Sequence, residues 1–166
     1  METAKQAEVP VIRRLRPDDL EAVIKLDASN IGRRRDEFFK VKLKQNLAET
    51  GIQVSLAAEF DGGFAGYLLA RVFYGEFGQT ERVAVLDSFG VHPRARGKGV
   101  GRALLQQLRT NLLGLGIRTL RTEVDWDDQR LMAFFQHEGF RPAARICLDQ
   151  DMEAARRRDE TVAPPV

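Results

Sequence analysis

The chain has 166 residues, 43% of them hydrophobic and 30% charged, with a net charge of +2. That length and balance suit one globular domain with a substantial core and are short for two. So small a net charge gives no global field for nucleic acid or an anionic membrane. The single cysteine, Cys147, excludes an intrachain disulfide framework, and no apolar run approaches the ~18 residues a spanning helix needs.

Residues 1–10 are polar, lack the apolar core of a signal peptide, and are expected to be disordered. With the lone cysteine, this points to a reducing, cytoplasmic setting. Val11–Leu15 reads as a first strand. Pro17-Asp18-Asp19 then opens a helix, because proline suits a first helical position and acids suit a first turn. Leu20, Val23, Ile24 and Asp27 mark one face of that helix. A second helix is expected from about Asp36 to Glu49, with Phe39, Leu43, Asn46 and Leu47 in phase. Between the two, Arg33–Arg35 reads either as a solvated basic corner or as an electrostatic lip for an acidic substrate or a cofactor phosphate.

Residues 52–60 alternate as a strand, and Asp61-Gly62-Gly63 has hairpin-turn chemistry. Phe64–Tyr74 is apolar on both faces and so reads as a central strand. After the loop Gly75–Arg82 comes the strand Val83–Val91. A helix from Val100 carries Leu104, Leu105, Leu108 and Leu112 on one side until Gly114 and Gly116 stop it. Ile117–Val124 is then a strand parallel to Val83–Val91, since a helix connects them. Asp127 or Asp128 caps a last helix bearing Leu131, Phe134 and Phe135, with Gly139 at its end. Phe140–Asp149 is expected to close the sheet. The organisation is one domain over residues 11–150 and a solvated basic C-terminal tail over 151–166.

The most informative stretch is Val91–Leu105, VHPRARGKGVGRALL. Gly97, Gly99 and Gly101 stand among Arg94, Arg96 and Lys98, between a strand and a helix. Glycines let backbone N–H groups approach an oxyanion, and the helix start adds unpaired donors and a positive dipole end. Two phosphate motifs fail here. A Walker loop needs a hydroxyl residue where Gly99 follows Lys98, and the dinucleotide fingerprint needs glycine where Arg102 stands.

What remains, Arg96-x-x-Gly99-x-Gly101, resembles the acyl-CoA pyrophosphate loop of the GNAT superfamily of N-acetyltransferases. Further on, Asp128-x-x-Leu131-x-x-Phe134-Phe135-x-x-x-Gly139-Phe140 resembles a second motif of that family. The likeness extends from about Val11 to Leu148. It implies an α/β (α+β) GNAT fold: a mixed, mostly antiparallel sheet with helices on both faces and a V-shaped splay between two parallel strands. It further implies acetyl-CoA as co-substrate, with the diphosphate on amides from Gly97 through Lys98, Gly99, Val100 and Gly101 to Arg102. Phe89, Gly90 and Val91 are candidates for the pantetheine arm and thioester, and Asp128, Phe134 and Phe135 for further contacts. No metal is implied. A homodimer is common in the family.

The reaction implied is attack of a primary amine on the acetyl thioester in a ternary complex. A lysine-type amine has a reference pKa of ~10.4, so it arrives protonated and needs a base or water chain. Asp87 is the first candidate. Without a bulge it lies on the face of Val83, Val85, Phe89 and Val91, where burial would favour its neutral form. Against this stands a carboxylate held structurally by arginine or backbone donors, or turned outward by a bulge. Glu123 is the second candidate, against a solvated strand-face role. His92 reads as a loop histidine and His137 as a helix-end one. Two positions depart from the family: its general-acid tyrosine is Phe135, and its asparagine is Asp128. Tyr74 or water would have to replace that acid, although a thiol of reference pKa ~8.5 leaves tolerably unaided. Cys147 is expected buried and inert, and the acids Glu123–Asp128 to serve helix capping rather than a metal. The acceptor is a small-molecule or peptide amine. A non-catalytic acyl-CoA-binding module is the competing reading, because Phe135 lacks the hydroxyl.

Overall fold

A computed structural model describes residues 9–74, 78 and 80–161. The expected disordered start up to residue 8, most of the loop between Tyr74 and Arg82, and residues 162–166 of the tail lie outside the described residues. The chain divides into two compact units, one ending at Asp128 and one beginning at Gln129.

The first unit holds a five-stranded sheet in the order β1-β2-β3-β4-β5. Its strands are β1 (Val11–Arg14), β2 (Leu56–Phe60), β3 (Gly63–Tyr74), β4 (Arg82–Val91) and β5 (Thr119–Thr122). The first three junctions are antiparallel and β4–β5 is parallel, as the intervening helix requires. The β2–β3 turn places Asp61 at φ 52° and Gly62 at φ 69°, the paired positive values of a type I′ hairpin.

Strand parity divides the core. Ala57, Tyr67 and Leu69 face α1 (Leu20–Ile31) and α2 (Asp36–Leu43), packing with Val23, Ile24, Leu26, Phe39, Leu43 and Leu47. Their neighbours Leu56, Ala58, Gly66 and Leu68 face the other way, beneath α3 (Val100–Gly114). A Cβ on Gly66 would lie 3.0 Å from side-chain atoms of both Val100 and Leu104. That glycine therefore sets how closely the first turn of α3 rests on the sheet. A 3₁₀ turn over Pro17–Asp19 precedes α1. The helix expected over Asp36–Glu49 changes its hydrogen bonding partway: α2 passes at Lys44 into a π-helical turn, Lys44–Ala48.

In the second unit, α4 (Gln129–His137) ends at Gly139, whose φ is 89°, as its sequence suggested. Phe135 is buried, its ring 5.4 Å from that of Phe134 and 4.9 Å from that of Phe140. One expectation fails here: Phe140–Asp149 forms no strand. Pro142 lacks the N–H a ladder needs, and Ile146 and Leu148 are 86% and 88% exposed. Cys147, expected buried, is exposed with them. The stretch expected as a solvated tail is exposed but helical: Asp151 accepts hydrogen bonds from the amides of Glu153 and Ala154, opening α5 (Met152–Thr161).

Candidate active site

The site is built where β4 outlasts its parallel partner. Pairing with β5 stops at Leu86 opposite Thr122, and the Thr122 hydroxyl donates to the Leu86 carbonyl at 3.1 Å. β4 continues through Asp87–Val91, still paired to β3 on its other edge. Phe89, Gly90 and Val91 therefore lie on the segment that β5 leaves behind.

At the same point β4 carries an extra residue. The register steps from Ala70 opposite Leu86 to Leu69 opposite Ser88, so Asp87 is the bulged position. The bulge alters the expected face. Asp87 keeps the company of Val83 and Val85, but Phe89 and Val91 are carried to the α3 side. Ser88 and Gly90 join Asp87 on the side of α1 and α2.

Asp87 meets a polar cluster there. Its Oδ2 accepts from Arg71 Nε at 2.9 Å and from Asn46 Nδ2 at 3.3 Å, and Lys42 Nζ lies 3.7 Å away. All three contacts fall on one oxygen, which fixes the orientation of the carboxylate and leaves Oδ1 outside them. The side chain is 11% exposed. Beside this cluster, the Tyr67 hydroxyl shares a 3.1 Å hydrogen bond with Ser88. Burial pushes the Tyr67 pKa well up, which keeps the phenol neutral. Asp27, buried on α1, is gripped by Arg35 at 2.6 and 2.9 Å.

The glycine turn follows at the end of β4. His92 donates through its amide to Ala65, a 3₁₀ turn spans Pro93–Ala95, and α3 begins at Val100. Gly97 and Gly99 have φ of 72° and 82°, and a Cβ at either would meet nothing within 4 Å. Backbone conformation, not crowding, requires these glycines. Ala103 closes the first turn of α3 by donating to Gly99 O at 2.9 Å, and a helix start of this kind presents backbone amides ahead of that bond. That open turn of amides with a positive dipole end fits a diphosphate. The Arg96 guanidinium bonds to the Asn30 side-chain carbonyl, while Asn30 Nδ2 donates to Val91 O at 3.3 Å. The arginine of the motif thus ties the turn to α1. Lys98 lies over the Phe60 ring at 5.3 Å.

Other candidates fall elsewhere. Tyr74 pairs with Arg82 at the far end of β3 from the Gly66–Val91 pair, roughly 26 Å away at ~3.3 Å per residue. It is 75% exposed and is not brought to the bulge. Glu123 is exposed just beyond β5, and Asp128 ends a turn in which its amide donates to Asp125 O. Phe134 and Phe135 pack within the second unit. Two arginines of the basic corner serve the fold, Arg34 with Glu21 and Asp36, Arg35 with Asp27. Among the described residues, no group of three or more His, Cys, Asp or Glu is gathered to hold a metal, and no helix is long and apolar enough to cross a membrane. Asn46, Arg71 and Ser88 were not singled out from sequence. Asn46 did leave a signal: it is an amide in phase with Phe39, Leu43 and Leu47.

Comparison with known proteins places this geometry. The profile of the acetyltransferase (GNAT) family matches residues 20–140. Aminoglycoside N(6')-acetyltransferase type 1 of Stenotrophomonas maltophilia is 30% identical over 143 residues, spanning 84% of this chain and 92% of that protein. Among solved structures, aminoglycoside N-acetyltransferase AAC(6')-Iy in complex with CoA superposes with a TM-score of 0.73 at 18% identity, over 90% of this chain and 99% of its own. A ribosomal-protein-alanine N-acetyltransferase from Brucella melitensis biovar Abortus 2308 gives 0.68 at 19%, over 86% and 100%. At such identities the two structures establish the shared fold. The chain belongs to the GNAT acetyltransferase family. Within it, this protein is an N-acetyltransferase that takes its acetyl group from acetyl-CoA.

Proposed function

We propose that the acetyl group passes directly to a primary amine in a ternary complex, with Asp87 as the base. The observation that carries this reading is the coincidence, at one point on β4, of the end of β5 pairing and the bulge that leaves Asp87 facing α1 and α2 while carrying Phe89 and Val91 to the other face. Phe89, Gly90 and Val91 would hold the pantetheine arm along the strand edge. The amides of Gly97 through Arg102 would hold the diphosphate, with Arg96 and Asn30 keeping that turn in place. A backbone N–H near Val91 would stabilise negative charge developing on the thioester oxygen. Arg71 and Lys42 fix Asp87 through Oδ2, and Oδ1 receives the proton of the amine. Departure of the thiolate needs no side-chain acid in this reading, because a thiol of reference pKa ~8.5 leaves tolerably unaided.

The acceptor class proposed is a small-molecule or peptide amine, which the relatives' names support, since they include aminoglycosides and ribosomal-protein alanine. A cytoplasmic site of action and a homodimer accompany the proposal, to be checked by cell fractionation and by sedimentation. The decisive experiment measures thiol release from acetyl-CoA with sisomicin, with a peptide beginning in alanine and with propylamine. Release matched by acetylated amine is expected. Asp87→Asn should slow it by about 10²-fold or more where the amine is protonated, the usual scale of general-base catalysis. Binding of acetyl-CoA with no release to any acceptor would instead favour the binding module.

A further inference from the structure

Asn46 is a residue whose position costs the fold something. It is 0% exposed, and its Oδ1 is a buried acceptor with no hydrogen-bond partner among the described residues. Turning the amide over would not cure this, because Nδ2 already serves two acceptors, Lys42 O at 2.8 Å and Asp87 Oδ2 at 3.3 Å. A flipped amide would set its oxygen against a carboxylate and a carbonyl. A buried polar atom left unpaired is destabilising, and few survive in folded proteins. Packing alone would be met better by leucine, in keeping with Phe39, Leu43 and Leu47 around it.

The local backbone points the same way. Asn46 sits in the π-helical turn Lys44–Ala48, and the residue it reaches is the bulged position of β4. Each of these irregularities is enriched at functional sites, and here they face one another. The π turn carries the Asn46 amide whose Nδ2 meets the carboxylate at the β-bulge.

We propose that Asn46 is a positioning residue for Asp87: its Nδ2 holds the carboxylate in the orientation that presents Oδ1 to the acceptor amine, and the unpartnered Oδ1 of Asn46 is the stability sacrificed for that donor. This rests on the assignment of Asp87 as the base. The charged groups facing Asp87 are Lys42 from α2 and Arg71 from β3. Asp27 and Arg35, paired with one another, lie against Tyr67 on the same side of the sheet. Lys42 and Arg71 remain in every variant below.

Three variants test the proposal, each assayed by thiol release from acetyl-CoA with sisomicin, or with the alanine peptide if that turns over faster. Asn46→Leu removes both the donor and the orphan. Its Tm is expected at or above that of the wild type, with kcat lower by about tenfold, a fraction of the general-base effect, and the Kd for acetyl-CoA unchanged. Asn46→Asp keeps the shape but sets a second carboxylate beside Asp87. Like charge disfavours ionisation, so the acidic limb of the kcat/KM profile should move to higher pH by about one unit. Asp87→Asn is the control for the base itself. Asn46→Leu with kcat within twofold, or with Tm and kcat falling together while the limb stays fixed in Asn46→Asp, overturns the positioning role and leaves the base standing. Full activity in Asp87→Asn, or no thiol release from any acceptor in the wild type, overturns both.

Discussion

The two faces of the sheet are packed by different rules. Beneath α3, aliphatic side chains meet aliphatic side chains: Leu56, Ala58, Leu68 and Leu86 against Val100, Leu104 and Leu108. Beneath α1 and α2, the buried set includes Asp27, Asn46 and the Tyr67 hydroxyl, with Asp87 nearly covered. One face spends its burial on position, holding the glycine turn at the mouth of the sheet. The other keeps polar groups that a core built for stability would exclude, and it keeps them around the bulge in β4. Both sides thus carry apolar core, and the buried polar groups are gathered on one of them.

The largest expected effect breaks the aliphatic face alone. Leu108 is fully buried on α3, two turns beyond the glycine turn. Leu108→Ala should lower unfolding free energy by about 2–5 kcal/mol, the usual range for a large-to-small change in a tight core. Urea denaturation would measure it. Acetyl-CoA affinity of the folded fraction should stay within about twofold, because additivity holds for sites without shared partners. A parallel loss of affinity would show that the packing of α3 and the anion cradle cannot be separated.

The same division explains what the sequence disclosed. The aliphatic face was legible because it obeys simple periods: Leu104, Leu105, Leu108 and Leu112 repeat as a helix, and the β2–β3 alternation gives its own turn chemistry at Asp61-Gly62. The glycine turn was legible because Gly97 and Gly99 need backbone conformations other residues resist. The polar face was only half legible. Asp87 stood out as an acid in an apolar strand, but its partners Asn46 and Arg71 come from a helix and a strand 41 and 16 positions away. No local pattern reports a contact of that separation, nor the bulge that parts Asp87 from the face of Phe89 and Val91. Tyr74 offered the hydroxyl that Phe135 lacks, but the β3–β4 register puts it at the other end of the hairpin. The stretch after Phe140 shows the reverse error: it was expected to close the sheet, but Pro142 lacks a ladder donor and Ile146 and Leu148 are exposed.

A middle-sized effect is expected at the boundary between the faces. Gly99 has φ 82° and open space around it, so a side chain there meets strain and no clash. Holding a β-branched residue in that region costs of the order of 1–3 kcal/mol, and the turn should relax out of its present path. Gly99→Val is expected to weaken acetyl-CoA binding about tenfold or more, since ~1.4 kcal/mol of lost interaction is a factor of ten. Gly99→Asn sharpens the test. Asparagine tolerates the left-handed region, so it should retain most of the affinity lost in the valine variant. Calorimetric titration of both with acetyl-CoA reads the difference, and equal loss in the two would assign the effect to bulk at the cradle.

The smallest effect probes whether a partly buried ion pair on the polar face adds to the stability of the apolar core around it. Arg13 of β1 grips Asp19 through two 2.8 Å hydrogen bonds, and the Asp19 carboxylate also accepts from the Arg16 amide at 2.8 Å. Burial raises the pKa of Asp19, but the Arg13 and Arg16 hydrogen bonds outweigh it and hold the group below the ordinary carboxylate value. A depressed folded pKa means that the ionised form is the one the fold prefers. The stabilisation is therefore present above the unfolded pKa of ~3.9 and is lost as pH falls through the folded value. Asp19→Asn should cost about 1–2 kcal/mol at pH 7, in the range for a charge-assisted hydrogen bond lost from a partly buried site. The gap between variant and wild type should hold at pH 5 and close progressively below about pH 4, because the unfolded carboxylate then takes up its proton first and the folded one follows only below its own lowered value. Urea midpoints at those three values decide it. A gap that persists undiminished at pH 3 would mean that shape, rather than charge, is what Arg13 recognises. Stability on the polar face would then be stored in its packing, as it is beneath α3.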